Sequence, residues 1–185
     1  MLVSVDWPGI VGDLPAGSLL RVRTELAAGI WSDPADARFA AEVGIPYADG
    51  LFRILVSVVE RDPASPDTAF VEGDPAEVDT GDGVLVQLGS LYGGALYLNR
   101  SDGTVWVSHP DSETEYELIN RDLSSLSYLL YLIDGEKPLP EEDPDPYDWA
   151  DAEEIVREKI TRWDALPFAD PGGFWDTYLE SYALY

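Results

Sequence analysis

The stretch that most restricts the fold runs from Val84 to Ile119, where four short runs of apolar, β-branched and aromatic residues follow one another closely. They are VLVQLG (Val84 to Gly89), ALYLNR (Ala95 to Arg100), TVWVSH (Thr104 to His109) and YELI (Tyr116 to Ile119). Such runs suit the pleated, half-buried surface of a strand. Between the second and third, Asn99 to Gly103 reads NRSDG, a hairpin-turn composition ending in Asp-Gly. Parallel strands need a crossover of about a dozen residues or more. The gaps here are short turns, so the region is expected to form an antiparallel meander. LFRILVSVVE (Leu51 to Glu60) is a further strand candidate, followed by a Pro- and Asp-rich loop from Arg61 to about Thr68.

Helical signals lie on both sides of this block. Asp33-Pro34 places an N-cap acceptor before a proline at the first helical position, and Gly44 ahead of Ile45-Pro46 supplies a stop. Pro34 to Val43 is therefore predicted to be a short helix with Phe39 and Val43 inward. Leu19 to Ile30 (LLRVRTELAAGI) is partly helical in period. After Asn120, the residues Leu123, Leu126, Leu130 and Ile133 recur at helical spacing, with Asn120 or Asp122 as cap and Gly135 as the end. Asp151 to Glu154 is a D-x-x-E start, and Ala152, Ile155, Val156, Ile160 and Trp163 form an apolar stripe beyond it. Asp170-Pro171 repeats the cap-plus-proline device ahead of Phe174, Trp175, Tyr178, Leu179 and Tyr182.

These elements define an α+β fold, with a central, mostly antiparallel sheet of about five to six strands flanked by N- and C-terminal helices. A chain of 185 residues fits one domain, taken as residues 1–185. Lys137 to Pro146, with four prolines in ten residues, reads as a mobile joint within it.

Charge removes whole classes of function. Thirty-six acidic residues against 11 basic ones give a net charge of −25. With 45% apolar residues the chain still buries a core, so the charge does not imply disorder. Nucleic-acid binders neutralise phosphates with Lys and Arg, and this chain would repel a phosphate backbone or an anionic lipid surface. No apolar run approaches the ~20 residues of a membrane span. The start MLVSVDWPGI lacks the charged and apolar regions of a signal peptide, so the expected location is cytoplasmic. The absence of cysteine excludes thiolate chemistry and Cys-based metal sites, and a single histidine, His109, excludes designs with several imidazoles. The glycines never form a G-x-G-x-x-G or P-loop pattern. Neither cofactor nor metal is expected.

The order of motifs resembles the SUKH superfamily, in particular its fourth subgroup, found among the immunity proteins of bacterial toxin systems. The similarity rests on VGIP (Val43 to Pro46) after a short helix and on LGSLYGGALYLNRSDGTVWV (Leu88 to Val107). It continues through ELINRDLSSLSYLL (Glu117 to Leu130) and the terminal FWDTYLE (Phe174 to Glu180). Roughly Phe39 to Tyr185 is covered. The resemblance implies a sheet flanked by helices and a non-enzymatic role: binding and blocking a cognate polymorphic toxin, often a nuclease or deaminase. The family has no shared catalytic residues to carry over, and its toxin contacts vary between members. The alternative function is an intracellular regulatory or scaffold module of the same fold.

The candidate binding segment comes from the residues themselves. From Glu141 to Glu154 the chain carries eight acids and no base. Glu141, Glu142, Asp143, Asp145 and Asp148, with Tyr147 and Trp149 among them, read as a docking surface for a basic protein toxin. Complementary charge speeds encounter and sets specificity, and aromatic anchors supply the buried centre of an interface. The same run reads equally as a solvated linker and surface helix, as salt adaptation, or with its aromatics packed on the body. Asp143, Asp145 and Glu154 fall at positions of a calcium loop, but Asp148 replaces the required glycine and Pro144 and Pro146 stiffen the turn wrongly. Trp106, Trp163 and Trp175 are expected in the core, whereas Trp7 and Trp31 sit in less regular surroundings suited to exposure.

Overall fold

A computed structural model describes residues 1–108, 115–139 and 144–182. Helix α1 (Trp7–Asp13) precedes β1 (Leu19–Val22), α2 (Thr24–Ile30), α3 (Pro34–Glu42) and β2 (Ile45–Pro46). The central strands are β3 (Phe52–Leu55), β4 (Val59–Glu60), β5 (Phe70–Val71), β6 (Glu77–Thr80), β7 (Gly83–Leu91), β8 (Gly94–Asn99), β9 (Val105–Ser108) and β10 (Tyr116–Asn120). Helices α4 (Leu123–Glu136), α5 (Pro146–Thr161) and α6 (Phe174–Glu180) complete an α+β architecture.

Two sheets result. The larger has seven strands in the order β10-β9-β8-β7-β3-β5, with β6 added on β7. From β7 to β10 it is the expected antiparallel meander, and among the described residues only the β3–β5 pair is parallel. The spine is β7: its first residues pair with β6 and its last with β3, while β8 runs along the other margin. Gly89 makes this crowding possible. A Cβ at that position would stand 2.0 Å from the carbonyl oxygen of Arg53, so no larger residue allows β3 this close. The smaller sheet has the order β2-β1-β4.

Several local signals read correctly. Asp33 caps α3 by accepting from the N–H of Ala35, and Asp122 caps α4 by accepting from Ser125. Others were overridden by contacts distant in sequence. Leu51 to Glu60 is not one strand. It breaks at a turn around Val56 to Val58, so that β3 joins the large sheet and β4 the small one. Leu19 to Ile30 likewise divides at Arg23 into a strand and a helix. The helix expected from Asp151 begins at Pro146, because Asp145 is its cap. At α6 the cap residue is Gly173 and Asp170 has no capping role. The N–H of Phe174 is instead met by Glu117 of β10 at 2.6 Å.

One contiguous apolar cluster extends from Val3 to Tyr182. Helix α4 lies at its centre, with Leu123, Leu126, Leu129, Leu130, Leu132 and Ile133 all buried. Trp7 and Trp31 are buried too, against expectation, at 7% and 3% exposure. Trp7 meets Phe39 edge-to-face at 4.9 Å, so the N-terminal helix closes over α3.

Candidate partner-binding surface

Helix α5 is seated through one narrow stripe. Ala152, Val156 and Ile160 are buried at i, i+4, i+8 spacing, whereas Ile155 and Trp163, expected inward, are each 36% exposed. Two cations fix its flanks. Arg157 pairs with Asp176 of α6 at 2.6 Å and lies over the ring of Phe168 at 4.4 Å, while Lys159 reaches Glu136 of α4. The N–H of Gly172 and the Arg157 guanidinium hold the Asp176 carboxyl below its ordinary pKa.

The opposite side of α5 is left to solvent. Tyr147, Asp151, Glu154 and Glu158 fall close to one line at helical spacing, and all are exposed. Tyr147 is 79% exposed, which makes it the most exposed large apolar side chain described. Glu158 pairs with Arg162 one turn on, a contact between two exposed side chains that adds little stability. Asp151 and Glu154 have no ion pair among the described residues. An open groove of about 820 Å³ runs beside them, lined by Ala150, Glu153, Glu154, Arg157, Glu158, Thr161 and Arg162.

The acidic run named from sequence has three fates. Glu141, Glu142 and Asp143 lie outside the described residues. Asp145 and Asp148 are exposed, but their carboxylates form a capping box. Asp145 accepts from the N–H groups of Tyr147 and Asp148, and Asp148 accepts from that of Asp145. Of the two aromatics, Tyr147 projects into solvent, whereas Trp149 is half-buried and meets Tyr182 edge-to-face at 5.2 Å. Further along the helix, Asp151 and Glu154 close the acidic run without having been singled out as contact residues, Glu158 lies beyond it, and Ile155 and Trp163 were expected inward. The 3.6-period stripe places Ala152, Val156 and Ile160 inward correctly, but it draws Ile155 and Trp163 in with them, where the structure leaves both partly exposed.

The calcium-loop spacing is overruled by the helix itself, since everything from Pro146 to Glu154 is α-helical. Among the described residues no group of three or more His, Cys, Asp or Glu side chains is arranged to hold a metal ion, and no helix is long and apolar enough to cross a membrane. His109 lies outside the described residues.

Architecture and surface together define an α+β protein with an antiparallel meander, a central apolar helix, and an acidic helix face carrying exposed aromatic and aliphatic groups. Residues 13–181 match the family described as SUKH-4 immunity protein, and the chain belongs to that family. The match begins well before Phe39 and takes in β1 and α2, which the sequence resemblance had left aside. No curated protein and no solved structure matches the chain.

Proposed function

We propose that this immunity protein neutralises a cognate toxin by stoichiometric binding, with the outer face of α5 as its contact surface. The observation that carries the reading is Tyr147, 79% exposed at the head of a helix face bearing Asp151, Glu154 and Glu158. A large apolar side chain held in water costs free energy that burial at an interface recovers. The acids around it select a positively charged counterpart and accelerate its approach. A toxin that acts on nucleic acid needs basic groups for its phosphates, so it presents such a surface. The inhibitor covers that surface and turns over no substrate. Glu141, Glu142 and Asp143 extend the same acidic run in sequence, and the encounter takes place in the cytoplasm.

Co-purification with the toxin encoded beside it tests the proposal, with wild type compared with Y147A/D151K/E154K at low and high salt. The expected result is capture by wild type that weakens as salt rises and fails for the triple variant. Capture of a different, non-toxic protein would favour the regulatory or scaffold reading. Capture unaffected by the three substitutions would move the contact surface elsewhere.

A further inference from the structure

A second surface, away from the outer face of α5, carries its own chemistry. We infer that the cleft between the Ala48–Gly50 turn, the Tyr92-Gly93 hairpin turn and the end of α4 binds a carboxylate-bearing peptide segment of a partner protein, with Arg53 as the anion's ligand. The cleft is about 590 Å³, within the range of ligand sites, and its walls include Ala48, Asp49, Arg53, Tyr92, Lys137 and Tyr178.

Its backbone is strained in a way seen nowhere else among the described residues. Three non-glycine residues have positive φ, namely Ala48 (46°), Asp49 (51°) and Tyr92 (45°), and all three line this cleft. Tyr92 and Gly93 form the two-residue turn joining β7 to β8, where asparagine or glycine would sit at lower cost. The N–H of Tyr92 donates to the carbonyl of Leu51 at 3.0 Å, locking the two strained turns together. Conformations of this cost persist where the surroundings over-determine them, and they cluster at ligand clamps.

The charge is equally distinctive. In a chain of net charge −25, most described cations are paired with acids. Arg53 is exposed on β3, opposite Ser90, and has no ion pair among the described residues. Its planar fork suits two-point binding of a carboxylate. Lys137, across the cleft, is held by Asp49 at 3.6 Å. Asp49 at the rim and Asp134 in the small cavity behind it disfavour a doubly charged anion, so a single carboxylate fits better than a phosphate. Beside the charge, Tyr92 and Tyr178 meet edge-to-face at 4.9 Å and offer a wall for an aromatic or aliphatic neighbour of the bound acid.

The test is an amide NMR titration of the full chain with acetyl-Phe-Glu-Phe-amide, run against acetyl-Phe-Gln-Phe-amide and against acetate. The expected result is saturable shifts confined to amides such as Gly50, Ser90 and Gly93, at least about tenfold weaker for the glutamine peptide and for R53Q, and intermediate for R53K. An R53Q spectrum otherwise like that of wild type shows that the variant is folded. Equal responses to the two peptides, an R53Q response like that of wild type, or no saturable shift would each overturn the inference. Acetate binding as tightly as the peptide would overturn the peptide assignment. None of these readouts involves the toxin, so the result is independent of the α5 surface.

Discussion

The indole N–H of Trp175 donates to the side-chain carbonyl of Asn120 at 3.0 Å, with both side chains fully buried. The pair ties the last helix to the last strand of the meander across 55 residues of sequence. From Asn120 the network continues. Its amide donates to the hydroxyl of Ser125 at 2.8 Å, which in turn donates to Asp164 at 2.7 Å.

Breaking the first link therefore strands a buried donor. Asn120→Ala is expected to lower unfolding free energy by about 1–3 kcal/mol, the cost of desolvated groups left without partners. Urea denaturation followed by tryptophan fluorescence measures it.

Asp164 carries more of the network. Its carboxylate also accepts from the N–H of Arg121 at 2.9 Å and of Leu166 at 3.0 Å. Asp164→Ala is expected to cost more than Asn120→Ala, about 2–4 kcal/mol, since it leaves two backbone donors and a serine hydroxyl unmet. The double variant should fall short of the sum, because the two sites share Ser125.

On α5, cap and surface separate experimentally. Asp145→Ala removes the capping acceptor and should cost about 0.5–2 kcal/mol. Tyr147→Ala and Glu154→Lys should leave the melting temperature close to that of wild type while slowing toxin association. Thermal melts and stopped-flow association rates, read together, distinguish the two effects.

The pH dependence has a defined sign at two carboxyls. Asp176 is held low by the N–H of Gly172 and by Arg157, so it stabilises the fold above the unfolded carboxylate pKa of about 3.9, and that contribution is lost as pH falls through the lower folded value. Asp176→Asn should lower the melting temperature at pH 7 and lose its effect in strong acid. Asp134 is pushed the other way, mainly by burial and also by Asp49. Its stability contribution is present below the unfolded pKa and lost as pH rises through the raised folded value, so Asp134→Asn should stabilise at pH 7 and not below about pH 4. Melting curves from pH 3 to pH 8 check both.

What could be read from the sequence was what is decided locally. The meander, α3 and α4 each carry their own turn, cap or periodicity signal within a few residues. The break between β3 and β4 is invisible in LFRILVSVVE, because it depends on which sheet each half joins. Strand β6, EVDT, is polar and pairs along one end of β7, so it lacks an apolar run. The start of α5 was hidden inside an acidic, proline-rich stretch. There Asp145-Pro146 and Asp148 make a cap that looks like linker, and D-x-x-E at Asp151 mimics a later one. The stripe was also drawn too wide: Val156 points inward as expected, but Ile155 and Trp163 stand at its margin, partly in solvent. At the cleft, neither Ala48 nor Tyr92 announces its backbone conformation, which is set by contacts between turns about forty residues apart in the chain.

Because α5 is seated through Ala152, Val156 and Ile160, with Trp149, Arg157 and Lys159 at its flanks, its outer line of Tyr147, Asp151 and Glu154 is free of duties to the interior. If the proposed contact holds, successive generations can rewrite that side one residue at a time as an adversary changes its own exterior. On the proposed reading, such edits leave the seated stripe untouched, so a new specificity would not require a new fold.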